Sequence, residues 1–472
     1  MQADSIVIGG GIAGLACAVA LCDRGFKPLV VERASLLGGR ARSWTHAETG
    51  DRVDIGPHIM LSEYRNMLAL LRRLGTDQQV VWQQTDKFIT LVDQPRPVEI
   101  RMSRLPPPLH FLPSMLGAPQ VSWREMASNA RLFRKVARLD EAGVQRLDSY
   151  NAEAFLREQG VSERFIDWFW RSAAMAIMNV PLERCSAGAL LGFFQKMIGR
   201  SGYRVGFPAA GLGDLYVPAA VAHIEAAGGR VLTETAVAAL LHENGVIQGV
   251  RLDDGRVVEA PHCVSAVPPQ DLAPLLPEAW LSGDSMFRVL TGFAPSPYIS
   301  AYLWFDRKLG QEQFWTRVWS PDTLGYDSYD LSNIRPGWRE RPSLIATNVI
   351  YSGRAEAWTD EQLVAKLRQE LAEFLPEAAV AELRHVDLHH IPMAIPAPYP
   401  GSEQLRPDAR TPVRGLYLAG DWIRTGLPSS MESAVRAGFM AAEAILAVAG
   451  RPEQIALPPP GPTGLIGLLA GQ

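Results

Sequence analysis

Three glycines, one acid and two arginines near the N-terminus have the types and spacing to hold a dinucleotide. Residues 6–14 read Ile-Val-Ile-Gly-Gly-Gly-Ile-Ala-Gly. An apolar strand runs into Gly9-x-Gly11-x-x-Gly14, and an apolar-periodic stretch, Leu15 to Leu21, follows. Gly9 permits a tight turn, Gly11 lets main chain approach a pyrophosphate, and Gly14 lets a helix lie close to the strand. A helix begun at Ile12 and Ala13 aims its free N–H groups and positive dipole end at phosphates. Glu32, followed by Arg33, closes a second strand from Pro28. It stands at the ~20-residue spacing of an acid that binds a ribose hydroxyl. Gly38-Gly39-Arg40-Ala41-Arg42 then sets cations beside the same pyrophosphate. Arg40 is the better partner, because Gly39 lets the backbone come close. A surface turn with solvated arginines is the plainer reading, and the neighbouring fingerprint outweighs it.

These residues need a strand–turn–helix–strand unit, and the rest of the chain must supply its surroundings. At 472 residues the chain is too long for one ordinary core. Its 47% hydrophobic and 20% charged residues describe an ordered globular protein, and a net charge of −4 excludes a global basic field for nucleic acid. The four cysteines, Cys17, Cys22, Cys185 and Cys263, lack metal-ligand spacing and read as buried, reduced thiols of a cytoplasmic protein. No metal is expected. No run of 18 apolar residues predicts a spanning helix.

Further along, Asp54-Ile-Gly56-Pro57-His58 predicts an irregular backbone able to meet a flat ring, and Tyr64–Leu74 is helical. Residues 95–139 change character. Prolines at 95, 97 and 106–108 precede an apolar patch of Leu109, Phe111, Leu112, Met115 and Leu116, then a helix rich in Arg124, Arg131, Arg134, Lys135 and Arg138. Segment 105–138 therefore fits a face that dips into anionic lipid, or a buried loop followed by a solvated helix face. Residues 150–200 read as helices carrying Phe165, Trp168, Phe169, Trp170, Phe193 and Phe194, a core stripe or the wall of an apolar pocket. An α/β pattern returns at 205–275 with a hairpin turned at 253–255. Strand-like runs (300–304, 343–350), a helix (361–374) and a Pro-rich stretch (395–400) follow. The close is Leu418-Ala-Gly420-Asp421 and Ser430-Met431-Glu432-Ser433-Ala434, which opens a helix to about 449; the rest is a flexible tail ending Leu465-Ile-Gly-Leu-Leu469.

Taken in order, these motifs resemble the flavin-dependent amine oxidase and carotenoid desaturase superfamily. The resemblance implies an α/β fold: a Rossmann-like FAD-binding domain of the amine-oxidase type, drawn from residues 1–85, 205–275 and 405–450. A discontinuous α+β substrate domain would take 86–204 and 276–404, leaving 451–472 as the tail. It implies FAD as cofactor, with Glu32 on the adenosine ribose, Arg40 on the diphosphate and Val237 on the adenine through its backbone. Asp421, beside Gly420, would hold the ribityl-phosphate end. The helix behind Ser430, Met431 and Ser433 would turn its N-terminus toward the flavin pyrimidine.

Within the superfamily four segments are most similar to hydroxysqualene dehydroxylases: Gly56–Tyr64, Met178–Arg184, Gly213–Tyr216 and Gly420–Pro428. Members often carry Gln where Pro57 stands and Ala-Thr-Ile in place of Ser429-Ser430-Met431. The implied activity is hydride transfer between flavin N5 and a long apolar isoprenoid such as hydroxysqualene or squalene, in squalene and hopanoid biosynthesis. The alternative is a phytoene-type carotenoid desaturase; a second is an amine oxidase, which usually sets an aromatic cage residue where Ser430 stands. His58 is the candidate catalytic acid or base, or a hydrogen-bonded structural histidine. The expected location is the inner face of the cell membrane.

Overall fold

The structure, a computed structural model, describes residues 2–282 and 286–470. Strand β1 (Ser5–Ile8) is buried throughout. It lies at the centre of a five-stranded parallel sheet whose order is 230–232, β2 (Pro28–Val31), β1, 263–265 and 416–418. Strands covered on both faces need apolar side chains on both, so the sequence of β1 and β2 is a continuous Val/Ile/Leu run rather than an alternation. The sheet collects strands from four stretches separated by as many as 198 residues of chain, and only the first two were legible as neighbours.

Helix α1 (Ile12–Cys22) follows β1, and all eleven of its residues are buried. It is enclosed by the sheet, by the helix Val217–Ala226 and by α3 (Met431–Val448). Helix α2 (Arg65–Leu74) packs on α3 from outside. Two glycines set these distances. A Cβ on Gly14 would stand 2.0 Å from the Gly9 carbonyl oxygen, and one on Gly438 would stand 2.3 Å from that of Ala13. All four cysteines are buried; burial pushes the Cys22 thiol up to about 11 and those of Cys17, Cys185 and Cys263 upward as well.

The remaining chain builds a seven-stranded mixed sheet in the order 383–396, 295–305, 344–350, 327–330, 314–317, 87–92, 98–101. The Pro-rich stretch at 395–400 begins inside a strand, Leu383–Pro396. It is an edge strand, with only 295–305 beside it; there Pro392 and Pro396 cost no hydrogen bond on the open side. The basic helix expected after the proline run is two helices, Trp123–Ala127 and Ala130–Ala137. The break is at Asn129, a buried residue whose Nδ2 donates to the Glu125 and Met126 carbonyls while its Oδ1 accepts from Trp170 Nε1 at 3.0 Å.

The segment beyond 450 is not a flexible tail where it is described. Glu443 accepts from the N–H groups of Ile455 and Ala456, and Asn66 Oδ1 from that of Leu457 at 2.8 Å. Helix α4 (Gly464–Ala470) then docks beside Pro107, whose carbonyl accepts from Leu465 N–H at 3.0 Å, and buries Ile466. A Pro-rich chain cannot pair its own backbone, so side chains of α2 and α3 pair it instead. Residues 471 and 472 and the Leu469 side chain lie outside what is described.

Gly438→Ala tests this packing: the methyl group drives α3 off α1, and overpacking of this kind costs about 1–3 kcal/mol. A lowered urea midpoint for holo-protein is expected, with less flavin retained; an unchanged midpoint would contradict the contact.

Candidate active site

The glycine turn is shaped by its own neighbours. Gly9 has φ +104°, a conformation open to glycine. Glu32 accepts from Gly10 N–H through Oε2 (2.8 Å) and from Ala34 N–H through Oε1 (2.9 Å). Its carboxylate thus pins both ends of the cradle and keeps lone pairs for a further donor. Its chain neighbours aside, no heavy atom among the described residues lies within 4 Å of where a Cβ on Gly11 would be. The first turn of α1 carries no acid and no side-chain cap, so its N–H groups and dipole end face open space bordered by Gly11, Ile12 and Ala13. Gly38 N–H donates to the Gly10 carbonyl, and the Tyr216 hydroxyl bonds the Gly38 and Ala41 carbonyls at 3.1 and 3.3 Å. Tyr216 closes the motif read only as a family marker; it buttresses the second glycine loop from beneath.

The other end of the site is assembled from parts far apart in sequence. Arg40 meets Asp421 through two bonds, Nη2 to Oδ1 at 2.6 Å and Nη1 to Oδ2 at 3.2 Å, and donates also to the Ala394 carbonyl. The two residues assigned separately to diphosphate and ribityl ends are therefore partners of each other on the cavity wall. Arg406, which the sequence did not single out, holds the Asp421 carbonyl at 2.8 Å and Glu403 at 2.8 Å. Asp54 is buried, accepts from Ser43 Oγ (2.5 Å) and Leu212 N–H (2.7 Å), and burial raises its pKa. It anchors the bend that ends at His58. The His58 Nδ1 donates to the Gly56 carbonyl at 2.8 Å, leaving Nε2 as the acceptor, and desolvation lowers its pKa. His58 is both a held structural residue and a cavity residue.

Ser430 caps α3, its Oγ accepting from Ser433 N–H at 3.2 Å. The Glu432 carboxylate accepts from the Asn66 backbone and side chain and from Met67 N–H, at 2.7–3.0 Å, capping α2. Burial raises its pKa. It therefore has a structural part in capping α2 while also bordering the cavity.

One cavity of about 1300 Å³ unites these parts. It is bordered by Gly9, Gly11, Glu32, Arg33, Gly39, Arg40, Val237, Gly420, Asp421, Ser430 and Met431, and by Gly56, Pro57 and His58. Arg33 also pairs with Asp271 at 3.0 Å across the adenine end. Gly14 and Ser433 do not border it. Gly14 is filled by the Gly9 contact, and the Ser433 hydroxyl is buried on Thr425 Oγ1 at 2.7 Å. Beyond Pro57 the walls become aliphatic and aromatic: Phe88, Leu109, Phe111, Trp168, Phe194 and Tyr298 among them. Trp170 belongs to the core, whereas Phe165, Trp168, Phe169, Phe193 and Phe194 reach the cavity, so the aromatic stripe serves both purposes. Asp327 is a carboxylate within this apolar part, and sequence reasoning missed it. A single Asp among Tyr326, Ser328 and Tyr329 carries no spacing signal.

The family of flavin containing amine oxidoreductases matches residues 12–446. The chain belongs to that family. It is an FAD-dependent oxidoreductase. It is 28% identical over 457 residues to a 15-cis-phytoene desaturase of Synechococcus elongatus, covering 93% of this chain and 95% of that one. A tomato (Solanum lycopersicum) 15-cis-phytoene desaturase is 27% identical over 94% of this chain and 77% of its own. A probable zeta-carotene desaturase of Synechococcus elongatus is 24% identical over 93% and 98%. Among solved structures, putrescine oxidase superposes with a TM-score of 0.73 at 17% identity, covering 95% of this chain and 99% of that one. Cyclohexylamine oxidase from Brevibacterium oxydans gives 0.69 at 20%, covering 96% and 100%; at such identities these two speak for the fold alone.

The residues fit the cofactor. The open face of Gly11, the uncapped and acid-free start of α1 and the doubly held Glu32 form a cradle for an anionic diphosphate and a ribose. Bound FAD supplies two-electron, hydride-transferring chemistry.

Removing the Glu32 carboxylate by Glu32→Ala leaves the buried Gly10 N–H without its acceptor, at about 1–3 kcal/mol, and releases the exposed Ala34 N–H to water. FAD affinity of the variant, read by flavin fluorescence on titration, is expected to fall at least ~10-fold; unaltered affinity would remove Glu32 from the site.

Proposed function

We propose that the protein is an FAD-dependent desaturase of a long apolar isoprenoid of the phytoene type. The observation that carries the reading is the single cavity. Its nucleotide cradle opens without a partition into a tube walled by Phe88, Phe111, Trp168 and Phe194, where a hydrocarbon is stable and water is not. A small polar amine has no reason to enter such a tube, and the position of an aromatic cage residue is held by Ser430, the cap of α3. The full-length relatives named phytoene and zeta-carotene desaturases support the desaturase reading over the hydroxysqualene dehydroxylase to which the sequence motifs pointed first.

A substrate of this kind lives in a bilayer, and we propose that the protein takes it from there. Leu105, Leu109, Leu112 and Leu116 are exposed, as are Trp123 and, on α4, Leu465 and Leu468; α4 docks against Pro107 of the same segment. Exposed Arg104, Arg124, Arg131 and Arg134 flank them. Pro108, Leu109, Phe111, Leu112 and Met115 of the same segment also border the cavity, so the apolar patch and the tube are continuous. An apolar face with a cationic rim is the composition of an interfacial anchor on anionic lipid. No helix among the described residues is long and apolar enough to cross a membrane.

Two anaerobic incubations test the activity: oxidised holo-protein with phytoene, and reduced holo-protein with hydroxysqualene. Desaturated product with bleaching of the flavin in the first is expected; product only in the second would replace the reading with the dehydroxylase. For the membrane, each Leu transferred from lipid to water costs about 1.5–3 kcal/mol. The pair Leu112→Glu and Leu116→Glu should therefore cut co-sedimentation with phosphatidylserine vesicles at least ~10-fold, and retained binding would place the anchor elsewhere.

A further inference from the structure

Asp327 opens the strand Asp327–Asp330 in the interior of the seven-stranded sheet and borders the apolar part of the cavity. Its Oδ2 accepts from the Tyr329 hydroxyl at 2.8 Å and from Asn348 Nδ2 at 3.3 Å. Its Oδ1 is shielded from water and accepts no hydrogen bond among the described residues. No other carboxylate oxygen is buried in that state among them. Other buried acids have fold-building partners: Asp54 takes Ser43 and Leu212, Glu370 takes the N–H groups of Leu324 and Gly325, Glu432 caps α2. Nor does a cation neutralise Asp327, for no Arg, Lys or His among the described residues lies at ion-pair distance. The titratable groups around it are phenols, Tyr329 on its own strand, Tyr326 before it and Tyr298 from the strand 295–305, all kept neutral by burial. The strand 344–350 contributes none, and Arg317 from 314–317 is turned to Glu370 and Glu373.

The carboxylate is also tied to the flavin side. Asn348 accepts from Ser300 Oγ at 2.9 Å, which orients its amide; Nδ2 then reaches both Asp327 and the Pro57 carbonyl, the latter at 3.5 Å. Asp327 is thus one residue removed from the Gly56–His58 bend on the same cavity wall.

We propose that Asp327 is the proton acceptor of the desaturation, which rests on the desaturase reading above. Introducing a double bond removes a hydride and a proton from adjacent carbons. Bound oxidised FAD would supply the acceptor for the hydride and its electron pair. At the neighbouring carbon the C–H bond breaks, its electron pair becomes the new π bond, and an O–H bond forms on Asp327. The proton later leaves to solvent. Burial in apolar surroundings holds the carboxyl at about 6, which strengthens it as a base while keeping it ionised at neutral pH.

Asp327→Asn keeps the shape and removes the base. FAD should remain bound with an unchanged visible spectrum while phytoene desaturation falls at least ~100-fold. Wild-type turnover should rise with pH through about 6, as the carboxyl ionises, and Asp327→Glu should retain such a limb at a displaced midpoint. Difference infrared spectroscopy of the holo-protein without substrate gives an independent reading. A protonated-carboxyl band should titrate with a midpoint at about 6 and be missing in Asp327→Asn. Turnover of Asp327→Asn within about threefold of wild type, or a band that persists in that variant, overturns the assignment. If wild-type protein acts on hydroxysqualene alone, the desaturase reading fails and the acceptor role falls with it, whatever the band does.

Discussion

The closeness of α1 to the main chain on either side of it is the constraint on which the site depends. Its start is pressed against the Gly9 carbonyl through Gly14, and its flank against α3 through Gly438. No other residue type leaves room at these two points. The first contact sets where the helix dipole ends, and hence where an anionic diphosphate is stabilised. The second carries the start of α3, with Ser430 and Met431, to the far side of the same cavity. Two ends of one cofactor site are thereby registered through a single helix whose residues are all buried.

What α1 registers by packing, buried acids register by hydrogen bonds. Glu432 caps α2 across 366 residues of sequence, Asp54 ties the Gly56–His58 bend to Leu212, and Asp148 draws Ser186 toward the backbone of Glu403 and Gln404. A buried carboxylate is costly unless its lone pairs are met, and N–H groups at helix starts and loops need acceptors. Each pairing relieves both requirements. These acids are fixed struts, and their function is positional. Glu432 belongs with them although it stands in the first turn of α3, whose own cap is the Ser430 hydroxyl.

How much was legible follows the range of the interaction. The strand–turn–helix unit, the Glu32 acid, the hairpin at 253–255 and the helix at 361–374 are local patterns, and they stand where periodicity and glycine spacing put them. The pairing of Arg40 with Asp421 was not legible, because nothing local tells two residues 381 apart that each is the other's counter-charge. Nor was the edge strand through Pro392, since proline is acceptable there only once the open side of the sheet is known. The break at Asn129 depends on Trp170 arriving from another helix, and the strap after 450 on acceptors in α2 and α3. His58 was singled out for its chemistry and proves to be held at Gly56, while Asp327, with no motif around it, has the freer oxygen.

The hydrocarbon proposed as substrate offers a protein no polar handle, so the cavity would select it by shape and dryness. Dryness has a consequence for any charge left in the wall. In water a carboxylate is a weak base whose lone pairs are already occupied; in an apolar tube it loses that solvation, and its affinity for a proton rises. The cost of keeping such a group ionised is several kcal/mol for an unpaired buried ion, and here two donors, Tyr329 and Asn348, offset part of it on one oxygen only. A fold selecting for stability alone would satisfy the second oxygen, as it does for Asp54 and Glu432, or replace the acid by an apolar residue. The half-satisfied carboxylate is instead set where the apolar wall meets the Gly56–His58 bend. In the proposed reaction, that is where the carbon chain would meet the cofactor.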